Sequence, residues 1–350
     1  MYTREMGPAP DYPVKNGKAC FGSFNGAFGH FDIRGMKRPF GDLPLPVSFT
    51  NLRIMETLRF LFCDSENIGE IEIFNSSFFG FMETTLWNRK TGRRIAYRRI
   101  IPPGLTRIPR SFLNGVTACR SHRRYVRIHS RMQKSLIHVD FDFLGDSVRP
   151  PCEGRLEMNP SEHEGGECSF LVPYEVRRRC QGSYMATGPL HGWISTGYDD
   201  RQISADLGVG FFDVRKTYLP LRSKSSTLVG MGRINGKLVS FHLANSLSRD
   251  DYRYNDNVLF IDGKAWPLPP VKITRPWGIT GDWIIQDTES MIDLVFTPIS
   301  DSSRALSALI VRTMYHTVYG AFDGVLLTGE GERVVLKNFP GIGKKVLLRI

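Results

Sequence analysis

The run Arg123-Arg-Tyr-Val-Arg-Ile-His-Ser-Arg-Met-Gln-Lys-Ser-Leu-Ile-His-Val-Asp-Phe-Asp-Phe143 decides how this chain folds. It alternates between apolar and polar residues, and a period of two means strands, because successive side chains of a strand leave on opposite faces. A two-residue turn at Gln133-Lys134 pairs Met132 with Ser135. Tyr125 then faces Asp142, Arg127 faces Asp140, and His129 faces His138, all on one side of the hairpin. Val126 and Ile128 share the other side with Ile137, Val139, Phe141 and Phe143. A slip of one residue would mix the two sets, so the register should be firm. Arg127, His129, His138 and Asp140 gather a base, an acid and two imidazoles that titrate near neutrality. They are candidate ligand-binding residues if that side lines a cavity, and a salt-bridged outer wall if it does not.

The rest of the chain reads the same way. Asn235-Gly236 separates Val229-Gly-Met-Gly-Arg-Ile234 from Lys237-Leu-Val-Ser-Phe-His-Leu243, and Asp262-Gly263 separates Val258-Leu-Phe-Ile261 from Lys264-Ala-Trp266. Both dipeptides accept the positive φ angles of a tight hairpin turn. Residues 303–318 open like a helix, but their β-branched second half argues for a strand. Short strands with frequent turns indicate an all-β sandwich or barrel. At 350 residues, with 41% hydrophobic content, the chain can build two packed domains or one large one. A turn-rich stretch, Gly182 to Gly197, reads as a junction. The expected organisation is an N-terminal extension (1–40), a basic domain (41–185) and a second β domain (186–350). An echo between Asp146-Ser147…Arg149 and Asp301-Ser-Ser-Arg304, each after a strand, hints that the two domains are related.

The formal charge is +11, but it is not spread evenly. From Thr84 to Val139 there is no Asp or Glu and there are fourteen Lys and Arg, which leaves the remainder of the chain slightly acidic. A concentrated basic segment attracts nucleic acid, acidic lipid or other anions, unless it is a solvated face paired with acids nearby.

Several classes are excluded. The six cysteines form no C-x-x-C pair and no zinc-like spacing with histidine, so no metal is expected and reduced thiols are favoured. There is no P-loop, no G-x-G-x-x-G before a helix, no G-x-S-x-G and no H-E-x-x-H, so no cofactor is expected. No apolar run is long enough for a transmembrane helix, and the first residues lack the apolar core of a secretory signal. These readings predict a cytoplasmic or otherwise intracellular protein. They set no oligomeric state.

The stretches Asn257-Val-Leu-Phe-Ile-Asp-Gly263, Pro276-Trp277, Phe296-Thr-Pro-Ile-Ser-Asp301 and Val318-Tyr-Gly-Ala-Phe-Asp-Gly324, with Arg53-Ile-Met-Glu-Thr-Leu-Arg-Phe60 as an opening strand, resemble domain-of-unknown-function family 2804. The resemblance covers roughly residues 50–350. That family looks distantly like the paired lipocalin-type barrels of the hydroxyneurosporene synthase and fungal Diels–Alderase group. The resemblance implies two antiparallel lipocalin-like, calycin-type barrels, or strongly curved sheets packed together, and a cavity for an apolar or amphipathic ligand. The chain departs from the family in two places. Asp213-Val-Arg-Lys-Thr-Tyr-Leu-Pro-Leu-Arg222 keeps the Asp and the Pro-x-Arg but not the usual intervening Trp and Gly-Arg-Gly. Gly341-Ile-Gly-Lys-Lys345 stands where an acidic residue is usual.

Asp213 and Arg222 flank Pro220, where an Arg–carboxylate pair would orient a ligand or stabilise charge. His242, on the strand Ser240-Phe-His-Leu-Ala244, is a candidate general acid or base, or a hydrogen-bonded scaffold residue. His191-Gly-Trp193 has the aromatic and polar mix of a pocket wall, or of a packed linker. Three functions remain open. The leading one is a barrel that binds a lipid- or isoprenoid-type molecule. The second adds cofactor-free hydratase, isomerase or cyclase chemistry. The third is an anion-surface protein that meets nucleic acid or acidic lipid through residues 84–139.

Overall fold

The computed structural model describes residues 2–41, 45–160, 163–174, 179–197, 199–218, 222–308 and 311–349. The N-terminal stretch forms β1 (Gly7–Pro8), β2 (Val14–Lys15), β3 (Lys18–Ala19), β4 (Gly22–Asn25) and one turn of helix, α1 (Val47–Asn51). Then come β5 (Ile54–Cys63), β6 (Asn67–Ser76), β7 (Gly80–Asn88), β8 (Arg94–Ile101), β9 (Gly115–Arg120), β10 (Arg124–Arg131), β11 (Leu136–Phe143) and β12 (Cys152–Met158). The first half closes with β13 (Gly166–Tyr174), β14 (Arg179–Ser195), β15 (Asp200–Ile203) and β16 (Val209–Tyr218). The second half holds β17 (Arg222–Ile234), β18 (Lys237–Ala244), β19 (Val258–Ile261), β20 (Lys264–Pro267), β21 (Lys272–Thr274), β22 (Trp283–Gln286), β23 (Ile292–Ala308), β24 (Val311–Leu327) and β25 (Arg333–Arg349).

The protein is all-β, two strongly curved antiparallel sheets. The first runs β8-β7-β6-β5-β16-β14-β12-β11-β10-β9, with β4, β13 and β15 branching from it. Its ends nearly meet: Tyr97 of β8 stacks on Phe143 of β11 with ring centroids 4.6 Å apart, and Arg99 reaches the Cys119 sulfur of β9 at 3.7 Å. The second sheet runs β20-β19-β18-β17-β25-β24-β23-β22-β21. Asn235-Gly236 and Asp262-Gly263 adopt positive φ at both residues, as their two-residue turns require.

The register of the 125–143 hairpin is the one read from alternation: Tyr125 opposite Asp142, Arg127 opposite Asp140, His129 opposite His138. Its turn is longer than two residues. A single 3-10 turn over Met132–Lys134 is closed by Ser135 at φ 49°, and Arg131 pairs with Leu136. Residues of the 303–318 stretch belong to β23 and β24, as β-branching favours.

The passage between the sheets falls between Tyr218 and Arg222, and Met185 lies in the middle of β14. The glycines around it serve close approach rather than a junction. A Cβ on Gly182 would stand 2.6 Å from the Phe31 ring, and one on Gly188 would stand 2.2 Å from the Asn159 carbonyl oxygen. The Asp-Ser echo marks different places, a loop after β11 in one case and the interior of β23 in the other.

Three apolar clusters hold the molecule together. The first fills the first barrel and includes Phe60, Phe62, Tyr184 and Phe212 with the N-terminal residues Phe28, Phe31, Ile33 and Met36, so the extension plugs the barrel. Trp283, Phe296, Phe322 and Phe339 fill the second. The third cluster lies between the barrels, where Leu61, Trp87, Phe170, Met185 and Phe211 meet Val229, Met231, Phe260, Tyr319 and Ile342. Aromatic side chains of the chain itself occupy both interiors, and polar groups of the two sheets meet at the seam between them.

Candidate functional site

Alternation along β5 sends Leu58, Phe60 and Phe62 into the first barrel, and Thr57, Arg59 and Leu61 out to the seam. In-register pairing extends this outer face into one row across five strands: Asp213, Arg59, Glu72, Glu83 and Arg98. The second barrel sets a row of its own against it, Thr227, Lys344, Thr317 and Ser302.

The two rows interlock through charge. Lys344 Nζ lies 2.7 Å from Glu70 and 2.9 Å from Glu72. Arg304 bonds Glu83 and lies 3.2 Å from Glu72. Arg98 donates to Glu83 at 2.7 Å and to the Ser302 hydroxyl at 2.8 Å. Within the first barrel, Arg59 donates to Glu70 at 2.5 Å and to Asp213 at 3.3 Å. Arg215 donates to Asp213 at 3.0 Å, to Asp256 at 2.8 Å and to His242 Nε2 at 2.7 Å. Taken from its solvent, such a network balances attraction against desolvation, and removal of one member leaves another charge uncompensated.

The electrostatics follow. Burial alone would raise the Glu72 carboxyl, yet Lys344, Arg304 and Arg59 bring it down to about 2. Burial lowers Arg215, but Asp213 and Asp256 overcome this and raise it. Burial, then Arg215, pulls His242 down to about 4. A guanidinium only donates, so His242 Nε2 must be the acceptor, and the protonated Nδ1 donates a hydrogen bond to the Asp256 carbonyl at 3.0 Å. His242 is therefore a neutral, fully buried imidazole with both nitrogens committed.

A cleft of about 120 Å³ opens beside this network, walled by both barrels. Arg59, Glu72, Arg215 and Lys344 supply its charged groups, Tyr174 and Tyr315 its phenols, and Met55, Leu247 and Val346 its apolar ones. Burial raises the Tyr315 phenol to about 12, so it stays protonated. Arg59 Nη2 and Thr217 Oγ1 are buried here without a protein partner. An unmet buried donor costs about 1–3 kcal/mol. A wider, open groove of about 810 Å³ runs past Leu113, Met132, His163, Glu167 and Trp266.

The structure brings together only part of the sequence-predicted set. Asp213 and His242 join the seam through Arg215. Arg222 does not pair with Asp213: it is exposed at the start of β17, while in-register Arg59 and next-but-one Arg215 occupy that carboxylate. Arg127, His129, His138, Asp140, His191 and Trp193 lie on the outer wall of the first barrel, because Val126, Ile128, Ile137 and Val139 on the opposite face fill its core. There they form a ladder of their own. His138 sits 2.8 Å from Asp140 and 3.0 Å from Glu157, and His191 sits 3.3 Å from Glu157. Among the described residues no group of three or more His, Cys, Asp or Glu is arranged to hold a metal. Several arginines of the 84–139 segment tie the protein to itself: Arg94 to the Asp301 carbonyl, Arg110 to Asp32, Arg124 to the Arg98 carbonyl.

Sequence reasoning missed Arg59, Glu70, Glu72, Glu83, Arg215, Arg304 and Lys344. Two signals were there: charges at alternate positions of otherwise apolar runs, as in Gly69-Glu-Ile-Glu-Ile-Phe74, and the Lys344-Lys345 departure from the family pattern.

The fold and seam define an all-β protein built of a nearly closed barrel and a half-barrel, with a polar cleft between the two. The chain belongs to the family described as domain of unknown function (DUF2804), whose pattern matches residues 20–349. No curated protein matches it in sequence. Among solved structures it resembles CghA, with a TM-score of 0.50 at 11% identity over 85% of this chain and 88% of that one. Kievitone hydratase from Nectria haematococca aligns with a TM-score of 0.44 at 9% identity, over 89% of this chain and 94% of that one. Among the described residues no helix is long and apolar enough to cross a membrane.

Proposed function

We propose that this protein binds an amphipathic small molecule in the cleft between its barrels. The observation that carries the reading is the cleft itself, where Arg59, Arg215, Lys344 and Tyr315 from both barrels border one space next to Met55, Leu247 and Val346. Ligand sites combine apolar walls with a few placed polar groups. At about 120 Å³ the cleft takes a head group, and the rest of the guest extends outward. A cofactor-free lyase or isomerase activity is a second reading, favoured by Tyr315, a neutral phenol at the wall that can donate a proton. His242 and Asp213 then position Arg215 rather than exchange protons with the guest.

The test is organic extraction and mass spectrometry of the purified chain beside Ser225→Phe, which places a ring in the cleft from a wall residue outside the ion network. Wild type should release a small molecule that the variant lacks. Equal retention by the two proteins would defeat the reading.

A further inference from the structure

We infer that the head group taken by the cleft is a carboxylate, carried on a long apolar tail. This rests on the reading of the cleft as a ligand site and names the class of its guest.

The charge of the seam points to an anion. Of the charged side chains in the cleft wall, three are cations, Arg59, Arg215 and Lys344, and one is an acid, Glu72. Across the whole seam, Arg59, Arg98, Arg215, Arg304 and Lys344 are matched by Glu70, Glu72, Glu83, Asp213 and Asp256. Arg4 and Arg89 are held by main-chain carbonyls instead. A guest's negative charge would meet the three cations at the cleft wall, where Glu72 is the one acid, rather than the acids behind them.

The hydrogen bonding points the same way. Arg59 has Nε on Glu70 and Nη1 on Asp213, both on one side, and its Nη2 meets no protein acceptor. Buried polar groups in proteins almost always have partners. The Thr217 hydroxyl, from the neighbouring strand, is a second unpartnered group at the same wall. A guanidinium nitrogen without an acceptor suits a carboxylate oxygen, and the Thr217 hydroxyl, opposite Met55 and four residues along β16 from Asp213, offers the cleft a further donor toward its Met55 end.

The tail follows from what surrounds the cleft. Met55, at the start of β5, is in its wall and pairs in register with Ser76. That register sets the β6–β7 turn, with exposed Phe78, at the same end of the barrel as the segment before β5, where Leu45, Val47, Phe49 and Leu52 are exposed. Isolated exposed apolar residues are ordinary, but a group of five at one end marks a contact surface. An alkyl chain leaving the cleft at this end would lie against it.

The experiment is calorimetric titration of the full chain with dodecanoate, dodecan-1-ol, acetate and inorganic phosphate. Dodecanoate should saturate one site and bind at least tenfold tighter than dodecan-1-ol or acetate. Thr217→Val keeps the shape and removes a hydroxyl that makes no protein hydrogen bond. It should weaken dodecanoate about fivefold and leave dodecan-1-ol unchanged. Ser225→Phe should abolish both. Equal binding of dodecanoate and dodecan-1-ol, lost in Ser225→Phe, would overturn the carboxylate and keep the cleft as a ligand site. Phosphate as tight as dodecanoate would overturn the apolar tail. Dodecanoate binding that survives Ser225→Phe would overturn this inference and the cleft reading together. No binding by any probe would overturn the carboxylate alone, with the extraction experiment still deciding the cleft.

Discussion

His242 shows how little a residue's type says about its use. A histidine on a strand is either a proton carrier or a scaffold, and its two nitrogens decide which. Here Arg215 donates to one nitrogen and the Asp256 carbonyl accepts from the other. The fold lowers its pKa from 6.5 to about 4, through burial first and Arg215 second. The unfolded chain thus takes up a proton between those two values that the folded chain refuses. The stability that neutral His242 contributes is complete above pH 6.5 and drains away as the pH falls toward 4. We expect urea unfolding at pH 4, 5, 6 and 7 to show this loss, up to about 3 kcal/mol. His242→Gln, whose oxygen still accepts from Arg215 and does not titrate, should flatten that part of the curve. An unchanged slope in the variant would show that other groups set the acid limb.

At the scale of elements, the 125–143 hairpin was legible down to its register, because an alternating strand with one apolar face has a single good pairing. Which face looked inward was not legible, and the candidate ligand residues depended on it. The apolar face is in the core, so the histidine ladder is an outer wall of half-exposed ion pairs, each worth little. Ile128→Ala should therefore cost about 2–5 kcal/mol in denaturant unfolding. Arg127→Ala should cost less than about 1 kcal/mol. The reverse order would put the charged face inside. Arg59 and Glu72 illustrate the complementary failure. Their strands look like ordinary half-polar strands, and nothing local says that the polar face will be covered by a second barrel.

For the whole molecule, the N-terminal extension and the seam make one structure of parts that the chain presents separately. Phe28, Phe31, Ile33 and Met36 are almost wholly buried in the first barrel's core, and the Tyr218 hydroxyl donates to the Ile33 carbonyl at 2.8 Å. Deletion of residues 1–40 should remove several kcal/mol of core packing, lower the thermal midpoint by more than about 10 °C and expose apolar surface to a hydrophobic dye. A truncated chain that melts at the wild-type temperature would show the extension to be dispensable. The same reasoning explains why the apolar outer positions Leu61, Trp87 and Phe211 are harmless: each is covered by the second barrel.

The sequence by itself determined the strands, the two Asn-Gly and Asp-Gly turns, the hairpin register and the family, because these follow from alternation, backbone φ and local motif. It also marked Asp213 and the departure around Lys344 as unusual. Only the tertiary structure decided where the polar faces went. Glu70, Glu72, Arg59 and Lys344 lie far apart along the chain and become one network only when two curved sheets press their outer faces together. Charge on a strand needs a partner once water is excluded, and a chain read in one dimension does not say which surfaces will exclude it.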